Sequence, residues 1–284
     1  MDNKSKEIHN QNSKCYRHET LEFDSGLFDS CIDMTYVLTM ENSDRIQHFT
    51  KQLELHKPSS KVIVQYNSGF RNCSKTLKEQ TAPYDITDSL RNIFVNALEN
   101  GYERVLVFED DFFMDKDKYT QKDIDSICKY VTKHNPDVYT LGTLIHVSLP
   151  ISKHPRILFT GHAHAVIYNR KYMKSFITNA ARFKIEHCDQ FWHKITFKKA
   201  GYHKPICYQL FPDTENSKQW GPAAKFNHKW LKLWKLDKSH EHYQAHTHFF
   251  SALHWIVLVG IIVGIVFIVR SIVRKRRYSP PINF

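Results

Sequence analysis

The sequence predicts an α/β fold, a doubly wound, mixed but mostly parallel sheet flanked by helices, followed by one C-terminal transmembrane helix. Three observations predict it. Apolar segments of strand length alternate with amphipathic helical segments from Asp33 onward. One of those strands, Arg104 to Phe108 (RVLVF), is an unbroken apolar run, as expected of a strand buried on both faces. Finally, Phe249 to Val269 is a stretch of 21 residues in which His254 is the only ionisable side chain, and about 20 apolar residues cross a bilayer core.

The elements follow in order. Residues 1–31 read as a polar leader, expected to be disordered and without an apolar targeting segment. Asp33 to Met40 (DMTYVLTM) is a strand, and Ser43 is placed to cap a helix through Leu55 with Ile46, Phe49 and Leu53 at helical spacing. Lys61 to Tyr66 is the second strand. Thr87 then caps a helix whose stripe is Leu90, Ile93, Phe94, Ala97 and Leu98, closed by Asn100-Gly101. After the strand at Arg104 come a helix at Asp123 to His134 and strands at Asp137 to Leu141, Arg156 to Phe159 and His164 to Tyr168. A helix from Arg170 to Ala180, a short helix at Asp189 to Ile195 and a strand at Pro205 to Leu210 complete a body spanning 32–217.

Residues 218–248 form a stem rich in Lys, His and Trp, 249–269 the membrane span and 270–284 a basic tail. Of the formal net charge of +11, +8 lies between Lys225 and Phe284. The body is therefore nearly neutral, which argues against nucleic acid as a partner. Gly260 and Gly264 form a GxxxG pair that could bring two such helices together as a homodimer. The five basic residues after the span favour a cytoplasmic tail, whereas the difficulty of moving a large body across a membrane without a signal favours a cytoplasmic body. The second orientation is the one expected. Six cysteines without CxxC or framework spacing are expected to be reduced thiols, in keeping with it.

The chemistry centres on Glu109-Asp110-Asp111, directly after the buried strand. Ligands of open α/β sheets bind outside the carboxyl ends of the strands. Alternation sends Glu109 and Asp111 one way and Asp110 the other. Adjacent carboxylates repel unless a cation sits among them, and hard oxygen donors select Mg²⁺ or Mn²⁺. The plainer reading is a solvated acidic turn capping the next helix.

Four stretches add a resemblance: YVLTMENSDR (Tyr36 to Arg45), DSLRNIFVNALENGYERVLVFEDDF (Asp88 to Phe112), DVYTLG (Asp137 to Gly142) and GHAHAVIYNRKYMKSFI (Gly161 to Ile177), the last followed by CDQFW (Cys188 to Trp192). In order and spacing they resemble the family 25 glycosyltransferases, the lipooligosaccharide and procollagen galactosyltransferase group. Thr39 stands where that family has Asn, and Leu90 where it has His. The resemblance implies a GT-A fold, a UDP-sugar donor, a divalent metal and a glycan or protein acceptor. It implies that Asp111 and Glu109 hold the metal, and that Glu109, Asp110, Arg45, Thr39 and His164 line the nucleotide. Asp189 is the implied general base of an inverting transfer; a helix N-terminal acid is its other reading. His164 is as readily a hydrogen-bonded core residue as a site residue. His203 is a candidate third metal ligand.

Overall fold

The computed structural model describes residues 10–149, 151–180, 188–210, 229–236 and 241–278. The strands are β1 (Tyr16–Glu22), β2 (Met34–Met40), β3 (Lys61–Asn67), β4 (Arg104–Glu109), β5 (Phe112–Met114), β6 (Val138–Leu149), β7 (Arg156–Asn169), β8 (Lys199–Gly201) and β9 (Cys207–Gln209). The helices are α1 (Ile46–His56), α2 (Ala82–Glu99), α3 (Gln121–His134), α4 (Arg170–Ala180), α5 (Cys188–Ile195) and α6 (Glu241–Tyr278).

Seven strands form one sheet in the order β1-β3-β2-β4-β7-β6-β8. At its centre β3, β2 and β4 are parallel, joined through α1 and α2. The chain passes from β2 to β3 on one side, then returns to place β4 on the other. The gap between the carboxyl ends of β2 and β4 is thus a topological switch point, where such sheets open a crevice. The sheet is more mixed than expected, because β1 and β7 run antiparallel to their neighbours. For β7 the reason is its short connection from β6, which permits only a hairpin return.

The period-two pattern of β4 builds both cores. Leu106 and Phe108 join Val37, Val62 and Val64 under Phe49 and Leu53 of α1 and Ile124, Ile127 and Val131 of α3. Val105 and Val107 join Tyr36 on the other face, under Ile93 and Phe94 of α2 and Tyr172 and Phe176 of α4. All four β4 apolar side chains are buried, as the unbroken run requires.

Several local expectations change. The leader is folded from residue 10: Tyr16–Glu22 pairs with all of β3, with Cys15 and Phe28 fully buried. Its polar look comes from an edge strand in which Arg17 to Thr20 are all exposed. Neither proposed cap acts as one. Arg45 is the N-cap residue of α1 and Thr81 that of α2, while Thr87 lies inside α2 and bonds back to the Pro83 carbonyl. The two strands expected between Arg156 and Tyr168 are one, β7. Three register shifts curl the β6–β7 hairpin until Arg156 pairs with Ala200, the residue that Tyr139 also pairs.

Four cysteines are not free thiols. Cys15 bonds Cys73 and Cys31 bonds Cys128. The partners lie 58 and 97 residues apart, so only the fold brings them together and no local spacing announces them. Cys207 is free and buried.

The stem and span are redrawn as well. Helix α6 is continuous from Glu241 to Tyr278, and its segment Ala245–Arg274 is long and apolar enough to cross a membrane. Its first turns belong to the body: Tyr243, Leu231 and Leu236 cluster with Tyr208 of β9, and Phe250 and His254 are also buried. The described part of the stem is therefore packed, because Leu231, Trp234 and Leu236 turn inward while Lys229, Lys232 and Lys235 stay outside. Stem residues 218–228 and 237–240 lie outside the described residues, as do 1–9 and the end of the tail. Gly260 and Gly264 face open space.

Candidate active site

The site is built on the last residue of β4 and the two that follow. Alternation shows in the hydrogen bonds: Glu109 and Asp111 share Gln209, Asp110 takes Thr39 and Ser43, and Arg45 lies near both aspartates. Gln209, at the end of β9, donates from Nε2 to Asp111 at 3.0 Å and to Glu109 at 3.2 Å. Two elements bring Gln209 there. β9 pairs with β5 so that Phe112 lies opposite Gln209, and the Leu210 amide donates to the Asp111 carbonyl.

Asp110 is a hub. Thr39 at the end of β2 donates to its Oδ2 at 2.7 Å, Ser43 to the same oxygen at 2.8 Å, and Arg45 to Oδ1 at 2.7 Å. The Arg45 guanidinium also lies 3.8 Å from Asp111. Ser43 does help to open α1, but by holding the Arg45 amide and Asp110 rather than by capping. These contacts tie the loop after β2 to the end of β4 across the switch point.

Asp111 is the outlier. It is almost fully buried, and among the described residues neither its Oδ1 nor the buried Oε1 of Gln209 has a hydrogen-bond partner. Burial first, then the neighbouring Asp110 charge, push the Asp111 carboxyl up to about 7, against the pull of Arg45 and Gln209. A buried carboxylate oxygen and a buried amide oxygen without donors are hard oxygen ligands of the kind a divalent cation takes. Among the described residues no group of three or more His, Cys, Asp or Glu forms a metal cage. Mg²⁺-type sites commonly need only one or two carboxylates, because substrate phosphates complete the shell. The donor set at Asp111, Glu109 and Gln209 fits that pattern.

The other expected residues are distributed as follows. Thr39 is buried and spent on Asp110, which makes it a positioning group. His164 is a core residue: its Nε2 lies 3.0 Å from the Cys207 carbonyl, where the chains come so close that a Cβ on Gly142 would overlap that same carbonyl. His203 is not with the acids. It sits exposed on the turn after β8, lining a small cavity with Thr140, Gly142 and Thr247. Asp189 is in the first turn of α5, and its side chain lies outside the described residues. The structure thus brings together Thr39, Arg45, Glu109, Asp110 and Asp111, and leaves His164 and His203 elsewhere.

Three participants were not anticipated. Ser43, expected as a helix cap, is a partner of Asp110 instead. Gln209 lies 100 residues from Glu109, and nothing in the sequence links the two. Tyr243, buried in α6, donates its hydroxyl to the Gln209 carbonyl at 3.0 Å and accepts from the Gln209 amide at 3.3 Å. The helix that carries the apolar span therefore also props the residue that bridges the two acids. Compared with protein-family models the chain matches none, and no curated protein matches it.

Proposed function

We propose that the chain is a membrane-anchored, metal-dependent glycosyltransferase that moves a sugar from a nucleotide donor, a UDP-sugar, to an acceptor hydroxyl of a glycan or protein with inversion. The observation that carries the reading is that Asp111 Oδ1 and Gln209 Oε1, both buried, lack partners among the described residues, beside Glu109 at the carboxyl end of β4. The motif resemblance to family 25 supplies the reaction class, and the mixed sheet with its switch point supports it.

Asp111, Glu109 and Gln209 would hold the divalent cation. When bound, that ion neutralises the diphosphate and polarises the bond to the leaving group. Asp110 fixes Arg45, whose planar fork suits phosphate oxygens, at the rim of the same crevice. Asp189 accepts the proton of the attacking hydroxyl in this scheme.

The two disulfides favour a body in a compartment that permits them, with the basic residues after the span on the cytoplasmic side. That orientation reverses the one expected from the thiol reading. A homodimer through Gly260 and Gly264 is the further partner proposed.

One observation favours a second reading, a catalytically inactive relative retained for binding. Arg45 already supplies a cation to Asp110 and Asp111. Assays of the full-length chain with Mn²⁺ and a series of nucleotide sugars separate the two. Transfer or donor hydrolysis that Asp111→Asn abolishes, with the fold intact, supports the enzyme; no turnover and no donor binding supports the inactive relative.

A further inference from the structure

Helix α6 leaves the body at a defined place. His254 is buried, and its Nδ1 lies 3.2 Å from Ser148 Oγ near the end of β6. From Trp255, which is 52% exposed, to Val273 the helix has no buried residue. At 1.5 Å per residue that run covers about 28 Å, the thickness of a bilayer core. Trp255 then sits at the interface, where tryptophan is enriched.

The surface beside that exit is apolar. Ser148 pairs with Ile157 of β7, and the next residues, Leu158 and Phe159, are 46% and 47% exposed. Ile151, three positions beyond Ser148, is 73% exposed. Phe159 stacks on His193 and pairs in register with Val147. With about 3.3 Å per strand residue, Leu158 and Phe159 lie within roughly 7 Å of the level of Ser148, and Ile151 is three residues along the chain, a reach of at most about 11 Å. Lys153 and Arg156, both exposed, flank them, and no acid occurs from Val147 to Phe159. Exposed apolar groups rimmed by cations, continuous with a membrane-spanning helix, match the chemistry of a lipid interface.

We infer that the curled β6–β7 hairpin is a second membrane contact, in which Ile151, Leu158 and Phe159 enter the headgroup boundary and Lys153 and Arg156 meet anionic lipid. The inference rests on α6 spanning a bilayer and is independent of glycosyl transfer. A second attachment beside the first stops the body from swivelling about α6, so the crevice at Asp111 keeps one orientation toward the membrane.

The test uses the full-length chain in vesicles of phosphatidylcholine and phosphatidylserine, with photoreactive benzoyl-phenylalanine placed at Leu158 or Phe159. The control position is Leu55 on α1, equally exposed at 47% and on the other half of the sheet. Resistance to carbonate extraction verifies that α6 remains inserted. Lipid adducts several-fold above the Leu55 control, reduced when phosphatidylserine is left out, are the expected result. Adducts no more abundant than at Leu55 in carbonate-resistant protein, or adducts to a second copy of the chain, would overturn the inference.

Discussion

Replacing Asp111 with Asn should stabilise the protein at about pH 8, while the same change at Asp110 should destabilise it. The Asp111 carboxyl is raised from 3.8 to about 7, so the folded chain resists its ionisation. An acid with a raised folded-state value adds no penalty below about pH 4, adds a growing one as pH rises, and carries all of it above about pH 7. A rise of that size sets a ceiling of about 4 kcal/mol, and the neighbouring charges of Asp110 and Arg45 bring the expected gain to about 1–3 kcal/mol. In the Asp111→Asn variant the new side chain can still accept from Gln209 Nε2. Asp110 is the opposite case: it accepts from Thr39, Ser43 and Arg45 at 2.7, 2.8 and 2.7 Å. Asparagine there removes the nearest counter-charge of a half-buried guanidinium and weakens three hydrogen bonds, at a cost of about 2–3 kcal/mol. Denaturant unfolding of the full-length chain in micelles, at about pH 5 and pH 8, reads both. A D111N variant that loses stability at pH 8, or gains equally at both pH values, refutes the assignment of Asp111; a neutral D110N refutes that of Asp110.

Other expectations follow from the same geometry. Reducing the Cys31–Cys128 bond, whose loop spans 97 residues, should cost about 4–5 kcal/mol on the loop-entropy account, read as a lower unfolding midpoint with dithiothreitol and a mobility shift on non-reducing gels. Tyr243→Phe removes two hydrogen bonds to Gln209 and should cost about 1–2 kcal/mol while weakening donor binding; unchanged binding would uncouple the anchor helix from the site. Burial, then Lys116, lowers His56 from 6.5 to about 4. A base depressed in the fold lends stability that is complete above about pH 6.5 and lost as pH falls toward 4, at most about 3 kcal/mol. His56→Gln should flatten that part of the pH–stability curve, and an unchanged slope would count against this assignment.

Much of the fold was legible because the central elements obey simple periods. RVLVF could only be a central strand, and its alternation also foretold how Glu109 and Asp111 part from Asp110. The antiparallel edges were harder to see. β1 alternates polar with polar, so its pairing with β3 shows only in three dimensions. The disulfides and Gln209 escaped for one reason: each joins residues dozens of positions apart, and spacing carries information only along a helix, a strand or a turn. His203 was a false lead, since its place late in the body did not fix its place in space. Thr39 and Arg45 were found through the motif, yet their observed task is to hold Asp110.

The most direct measurement is thermal unfolding of the full-length chain with Mn²⁺ and a panel of nucleotide sugars, for the wild type and Asp111→Asn side by side. A donor at a hundredfold excess over its Kd should add about 2–3 kcal/mol to the wild type, only when the metal is present, and nothing to D111N. A wild type unmoved by every nucleotide sugar, or a D111N variant stabilised as much as the wild type, would contradict the assignment of Glu109, Asp111 and Gln209 as a metal and nucleotide site.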